Sequence, residues 1–273
     1  TDAFSEKAVE FINESSQPFM MYLAYNAVHT PMQATDEDMA KFEGHPRQKL
    51  AAMTYALDRG VGTVIRGLKD SGKFDNTLIF FLSDNGGATT NQSSNYPLKG
   101  FKGNKFEGGH RVPYFVVWKN GIPAGKPYDG LVSSLDIFAT AIDAASISKT
   151  RNRLDGVSLL PYLKGKKGEP HKVLYWRKMD TRAIRSGDYK LIITHGVDSV
   201  LYNIRRDPEE MNNLINKEPD LYRKLAKKLA KWEKNECIEP SWLEEGWRKI
   251  TNRYHQQLMH NEIKTAQDLY KKK

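Results

Sequence analysis

Cysteine is almost missing from this chain. Of 273 residues only Cys237 is one, which excludes an internal disulfide and any multi-cysteine metal cluster. No apolar run reaches the roughly 18 residues that a membrane-spanning helix needs, and no signal-peptide pattern precedes Thr1. Internal repeats are absent as well. What is present, 39% hydrophobic and 27% charged residues, has the balance of a folded globular protein rather than a disordered one.

Acidic residues are scarce in one half only. Residues 1–145 carry 14 Lys and Arg against 16 Asp and Glu, whereas residues 146–273 carry 28 against 17, so the formal charge of +9 comes entirely from the second half. Such a basic half can draw in polyanions. No nucleic-acid motif accompanies it, and nucleic acid is not expected as a partner. Lys224, Lys227, Lys228, Lys231 and Lys234 fit the solvated face of a helix.

The most informative stretch runs from Thr77 to Trp118. Leu78–Leu82 is a continuous apolar run, too short for a helix and flanked by turn formers, which reads as a buried strand of a parallel sheet. Asp84 and Asn85 follow, then Gly86 and Gly87, so a carboxylate and an amide are delivered to the crevice where open α/β sheets hold ligands. Both offer hard oxygens, which suit Ca²⁺, or Mg²⁺ after it, better than zinc. By itself the tetrad is equally readable as a strand-to-loop turn. The loop beyond it brings Lys99, Lys102 and Lys105, and the chain returns through Glu107 and Arg111 into a second apolar strand, Val112–Trp118. Glu107 and Arg111 read as structural, and nothing in the spacing points Lys99 or Lys105 inward.

Elsewhere the pattern alternates. A short amphipathic helix is expected over Glu6–Glu14, an apolar strand over Phe19–Tyr25, and His29 in the loop after that strand. Leu50, Met53, Leu57, Val61, Val64 and Leu68 recur at helical spacing, and Gly72 closes that helix. A further helix spans Leu135–Ala145. Gly165–Gly168 looks like a connector, which places a boundary between residues 1–165 and 166–240. Beyond it, Val173–Arg177, Arg182–Arg185, Tyr189–Thr194 and Val200–Ile204 predict a four-stranded antiparallel sheet, followed by a helix over Pro219–Glu236. Residues 241–273 read as a helical or flexible polar tail.

Three stretches together resemble one family. Ser83–Gly87, then Lys102-Gly103 ahead of Glu107-Gly108-Gly109, then Arg111-Val112-Pro113, are similar to the second half of the formylglycine-dependent sulfatases of the alkaline-phosphatase-like superfamily. Pro18–Pro31 and Leu201–Leu214 resemble two more segments of that family, in the right order. The resemblance implies a partial, mostly parallel α/β sheet flanked by helices, followed by a small α+β subdomain. It implies hydrolysis of a sulfate ester on a sulfated carbohydrate or aryl sulfate, with tones of the N-acetylgalactosamine-6-sulfatases. By residue-wise match, Asp84 and Asn85 would bind Ca²⁺, Lys102 would contact the sulfate, and His29 would stand near the leaving oxygen. His171, Trp176, Arg177, Arg185 and His195, on or beside the small sheet, are weaker substrate-binding candidates, equally readable as surface or packing residues.

The family's nucleophile motif, Cys or Ser, any residue, Pro, any residue, Arg, occurs nowhere in the chain. Cys237 lacks the Pro and Arg of that motif at the right positions. Formylglycine is therefore expected on an N-terminal part that precedes Thr1, and the chain alone is expected to be inactive and prone to self-association. The resemblance implies a periplasmic, secreted or lysosomal location. A phosphodiesterase or phosphonate hydrolase of the same superfamily, or a non-catalytic polyanion-binding module, are the alternatives.

Overall fold

The computed structural model describes residues 1–91, 93–147, 153–237 and 244–271. They divide into two compact units, one of residues 1–80 and 116–126, the other of residues 81–115 and 127 onward. The second unit therefore takes in residues 127–165, which the sequence grouped with the main sheet.

In the first unit, α1 (Asp2–Glu14), α2 (Asp36–Ala40) and α3 (Gln48–Asp70) form a helical layer. The face of α3 that is fully buried is made of Ala52, Met53, Ala56, Gly60, Gly67 and Leu68. It is offset from the expected stripe, and Leu57, Val61 and Val64 are half-buried. Small residues explain the offset: a Cβ on Gly60 would lie 2.6 Å from the Ser5 hydroxyl, and one on Gly67 would lie 2.9 Å from Val9, so α1 is seated directly on the α3 backbone. Gly72, at φ +71°, closes α3 as expected, with Lys73 N–H donating to the Leu68 carbonyl.

Phe19–Tyr25 does not form the expected strand. It has no ladder partner among the described residues, and an apolar run without one keeps no strand pairing; Met20 and Tyr22 are 68% and 91% exposed. β1 (Ile79–Leu82) and β2 (Tyr114–Val117) do pair. Ser83 N–H donates to the Pro113 carbonyl, Asn120 N–H to the Asp75 carbonyl, and Phe81 faces Phe115 at 6.2 Å. Partners advance along one strand as they retreat along the other, so this pair runs antiparallel, not parallel as β1 read in the sequence.

The second unit adds α4 (Glu107–His110), α5 (Asp136–Ala144) and α6 (Leu160–Leu163), then the sheet β3 (Val173–Lys178), β4 (Thr181–Ser186), β5 (Tyr189–Thr194) and β6 (Asp198–Asn203) in sequential antiparallel order. Gly187 and Gly196 supply the positive φ that two of its turns require. Helices α7 (Pro219–Glu236), α8 (Glu245–Met259) and α9 (Asp268–Lys271) complete the unit.

Strand periodicity sorts the small sheet's side chains onto two buried faces. Ile184, Leu191 and Leu201 pack against Leu225 and Leu229 of α7. Trp176, Ala183, Ile192, Val200 and Tyr202, on the other face, pack against Phe101 and Phe106 of the lysine-bearing loop and against Leu258, Met259, Ile263 and Ala266. The α/β class and the antiparallel sheet are as expected. The tail beyond residue 244 is integral to the core; Ser241 and Trp242 lie outside the described residues. No helix among the described residues is long and apolar enough to cross a membrane.

Candidate functional site

Asp84 and Asn85 sit in the bend after β1. Ser83 Oγ donates to the Asn85 carbonyl at 2.8 Å, and Asn85 Nδ2 donates to the Gly86 carbonyl at 2.9 Å, which leaves Oδ1 as the side-chain atom able to face a cation. Asp84 is exposed and has no hydrogen bond or ion pair among the described residues. The bend is lashed to the lysine loop by backbone bonds: Gly86 N–H to the Gly109 carbonyl (3.1 Å) and Lys102 N–H to the Gly87 carbonyl (2.9 Å). Asn95 reinforces the tie, its Oδ1 accepting from Gly87 N–H and its Nδ2 donating to the Gly100 carbonyl.

This close approach needs glycine. A Cβ on Gly86 would lie 1.8 Å from the Gly108 carbonyl oxygen, a backbone atom that cannot swing aside. Gly86→Ala is expected to destabilise the chain by about 2 kcal/mol or more, read as a fall in Tm or loss of soluble protein. An unchanged Tm would show that the two loops separate freely.

Lys102 is exposed at the loop surface, whereas Lys99 is fully buried. The Lys99 ammonium donates to the Glu210 carbonyl at 3.0 Å and to Asn261 Oδ1, and Gly100 N–H donates to the Lys264 carbonyl at 2.7 Å. Chain beyond α8 thus holds the loop from behind. Lys99 has a structural role, whereas Lys102 is exposed.

A buried charge network fixes the other end of the loop. Glu107 Oε1 accepts from Lys190 Nζ at 2.8 Å, and Glu210 Oε2 accepts from Glu107 N–H at 2.6 Å. Lys190 also lies 3.0 Å from Glu210 Oε1, off the hydrogen-bonding direction, so this contact is an ion pair and the bond goes to Glu107. Arg185, beside Lys190 on the same sheet face, comes within 3.7 Å of Glu107, and Arg111 within 3.5 Å. Glu210 is at φ +55°, a conformation costly for a residue with a side chain. It is held there by the Asp207 carboxylate, which accepts from the N–H groups of Met211 and Asn212.

One ammonium between two buried carboxylates divides their behaviour. Burial pushes the Glu210 carboxyl up to about 7, while for Glu107 burial is outweighed by Lys190 and the neighbouring cations, which hold it down to about 2. Burial also keeps His110 and His255 neutral, lowering them from 6.5 to about 3 and about 4. Depressed imidazoles contribute stability that is present above 6.5 and lost as pH falls from 6.5 towards 4. Glu210 works in the opposite sense between 4.5 and 7, but one group opposes two. Tm is therefore expected to fall from pH 7 to pH 4.5, and more gently in His255→Gln; equal slopes would remove His255 from the account.

The remaining sequence candidates are dispersed. His29 belongs to the first unit, exposed in a turn, its N–H donating to the Asn26 carbonyl and its Nδ1 lying 2.6 Å from the Thr30 carbonyl oxygen. His171 Nε2 contacts both oxygens of buried Asp136 at 2.7 and 2.9 Å, and Asp136 in turn accepts from Ser133 and Val157 N–H. Trp176 stacks on His110 at 4.4 Å. Arg177 points to the opposite sheet face and pairs with Glu233 of α7 at 3.4 Å. Arg185 joins the buried network, and His195 is exposed beyond β5. Lys178, Lys190 and Glu210 were not singled out in the sequence. Alternation on β5, where Lys190 shares a face with buried Ile192, and on β3, where Lys178 shares one with Trp176, was the available signal.

Among the described residues no group of three or more His, Cys, Asp or Glu could hold a metal. Asp84 and Asn85 fit a hard cation in donor type and could be only part of its shell, since Ca²⁺ takes about six to eight oxygens.

Loop, paired strands and antiparallel subdomain define the class. Residues 1–147 match the family model Sulfatase, and residues 102–235 match that described as N-sulphoglucosamine sulphohydrolase, C-terminal. The first match covers more than half of the chain, and the chain belongs to the sulfatase family, whose fold is alkaline-phosphatase-like. It is similar to the uncharacterized sulfatase YdeN of Escherichia coli K12, 40% identical over 186 residues, 64% of this chain and 33% of that protein. It is also similar to the N-acetylgalactosamine-6-sulfatase of Canis lupus familiaris, 32% identical over 198 residues, 70% of this chain and 37% of that protein. Among solved structures, Ps i-CgsB in complex with k-i-k-neocarrahexaose matches with a TM-score of 0.82 and 36% identity, covering 93% of this chain and 58% of that one. The chain thus spans about a third of the length of these curated relatives.

Proposed function

We propose that this chain is the C-terminal portion of an exported sulfatase that hydrolyses sulfate esters on a sulfated glycan, and that it supplies half of the active site. The observation that carries this reading is the backbone tie between the Asp84–Gly87 bend and the loop of Lys102, which joins an exposed carboxylate without a partner among the described residues to an exposed lysine. When bound, Ca²⁺ would supply polarisation of the sulfate, and a formylglycine outside this chain would supply the attacking oxygen. From this chain, Asp84 and Asn85 would hold the cation by their side-chain oxygens. Lys102 binds a sulfate oxygen and neutralises the charge that grows on it in the transition state. His29 donates a proton or hydrogen bond to the leaving sugar oxygen. The similarity to N-acetylgalactosamine-6-sulfatases and to a protein solved with neocarrahexaose supports a glycan substrate. With no nucleophile motif in these residues, the chain alone is expected to leave sulfate esters intact.

The test is kinetic. In the full-length protein, Lys102→Ala and His29→Ala are expected to lower kcat by about 10²-fold or more with Tm nearly unchanged. Loss of stability in step with activity would make both residues structural, and a preference for phosphate or phosphonate esters over sulfate esters would place the protein among the sister hydrolases.

A further inference from the structure

Two lysines beside Lys102 take no part in the buried network. Lys178 ends β3 on the sheet face that also carries Trp176, and Trp176 stacks on His110 of the lysine loop, so Lys178 is directed at that loop. Its ammonium lies 2.9 Å from where a Cβ on Gly103 would sit, and Gly103 follows Lys102 directly. Lys105, two residues on, is half-buried. The side-chain ammonium of neither Lys105 nor Lys178 has a hydrogen bond or ion pair among the described residues, in contrast to those of Lys99 and Lys190 in the same layer. The charged groups that face them are themselves cations: Lys102 bears on Lys178, and Lys178 and Lys190 bear on Lys105. Burial first, and this repulsion after it, lower Lys105 to about 8, and Lys178, which is exposed at the end of β3, is lowered from its ordinary value in the same sense. His255, also close to both, is neutral and relieves nothing. The buried Nδ2 of Asn104, adjacent to Lys105, is a donor with no acceptor.

Cations gathered without a counter-charge, one of them half-buried, raise the energy of the free protein, and an anion that settles among them recovers it. Folding gains nothing from such an arrangement, whereas polyanion recognition does. We propose that Lys178 and Lys105 form a second anion subsite beside Lys102, which receives a further sulfate group of the same glycan chain. This rests on the sulfatase reading and adds to it a preference for substrates sulfated on more than one position.

The test is calorimetric titration of the full-length protein, prepared without formylglycine so that no turnover occurs, with k-i-k-neocarrahexaose, as a multiply sulfated ligand, and with galactose 6-sulfate. Lys178→Ala and Lys105→Met are compared with Lys227→Ala, on the solvated face of α7, as a control for charge. Lys178→Ala is expected to weaken the hexaose by about 5-fold or more, the worth of one charge-assisted contact, and to leave galactose 6-sulfate within about 2-fold. Lys105→Met is expected to behave likewise, with Tm read in parallel; should it unfold, Lys178→Ala alone decides. Unchanged hexaose affinity in Lys178→Ala, or an equal loss in Lys227→Ala, overturns the subsite. Binding of galactose 6-sulfate that Lys102→Ala abolishes then leaves the sulfatase reading standing, whereas no binding of either ligand by the unaltered full-length protein overturns both.

Discussion

Lys190→Met should lower Tm by about 10 °C or more, because removing one member of a buried ion pair costs about 3–5 kcal/mol and each kcal/mol moves Tm by about 2–4 °C in a chain of this size. Lys190 is fully buried and is the cation shared by Glu107 and Glu210, themselves 4% and 0% exposed. Methionine fills much the same volume but leaves two carboxylates facing each other without the ammonium. Glu107 suffers more, since it is held ionised by that ammonium, while Glu210 can take up a proton. The cost is therefore expected to shrink when the carboxylates are removed as well: the triple variant Glu107→Gln, Lys190→Met, Glu210→Gln should recover part of the lost Tm. A single variant within about 2 °C of the unaltered chain would show that water reaches the pair and that the network does not anchor the loop.

That network marks the limit of what was legible beforehand. Local pattern sufficed where an element's identity depends on its own residues: Tyr189–Thr194 and Pro219–Glu236 are where strand alternation and an apolar helix stripe placed them. It failed where an element needs a partner. Phe19–Tyr25 has strand composition but no ladder among the described residues, and the direction of β1 is set by β2, more than thirty residues away. Asp84, Asn85 and Lys102 were named by the family resemblance of their stretch, since the local pattern alone reads equally as a turn and does not set Lys102 apart from Lys99 and Lys105. Lys190 and Glu210 could not, since a lysine in a strand and a glutamate in an acidic turn look solvated until the sheet face that buries them is known. The tail beyond residue 244 was equally silent: it read as helical or flexible, and its service as the brace behind Lys99 and Gly100 depends on contacts at Asn261 and Lys264 that no periodicity reveals.

The largest effect on activity is expected from Asp84→Ala, which should abolish turnover by the full-length protein while leaving Tm within about 2 °C. The separation follows from the environment of Asp84. Its carboxylate is exposed and makes no hydrogen bond or ion pair among the described residues, so the fold gains nothing from it. The tie between bend and loop runs through backbone groups of Gly86, Gly87, Lys102 and Gly109 and survives the substitution. What is lost is one anionic oxygen at the position proposed to hold a hard cation. Asn85 alone, a neutral amide, cannot replace that charge. By the same reasoning the chain on its own should bind Ca²⁺ weakly, because two side chains provide far fewer than the roughly six to eight oxygens Ca²⁺ takes, and should not bind Zn²⁺ tightly, because among the described residues no histidine or cysteine cluster stands with them. Calorimetry with each ion separates the outcomes. Tight stoichiometric zinc binding would refute the hard-cation assignment, and an Asp84→Ala protein that keeps its turnover would remove Asp84 from the site altogether.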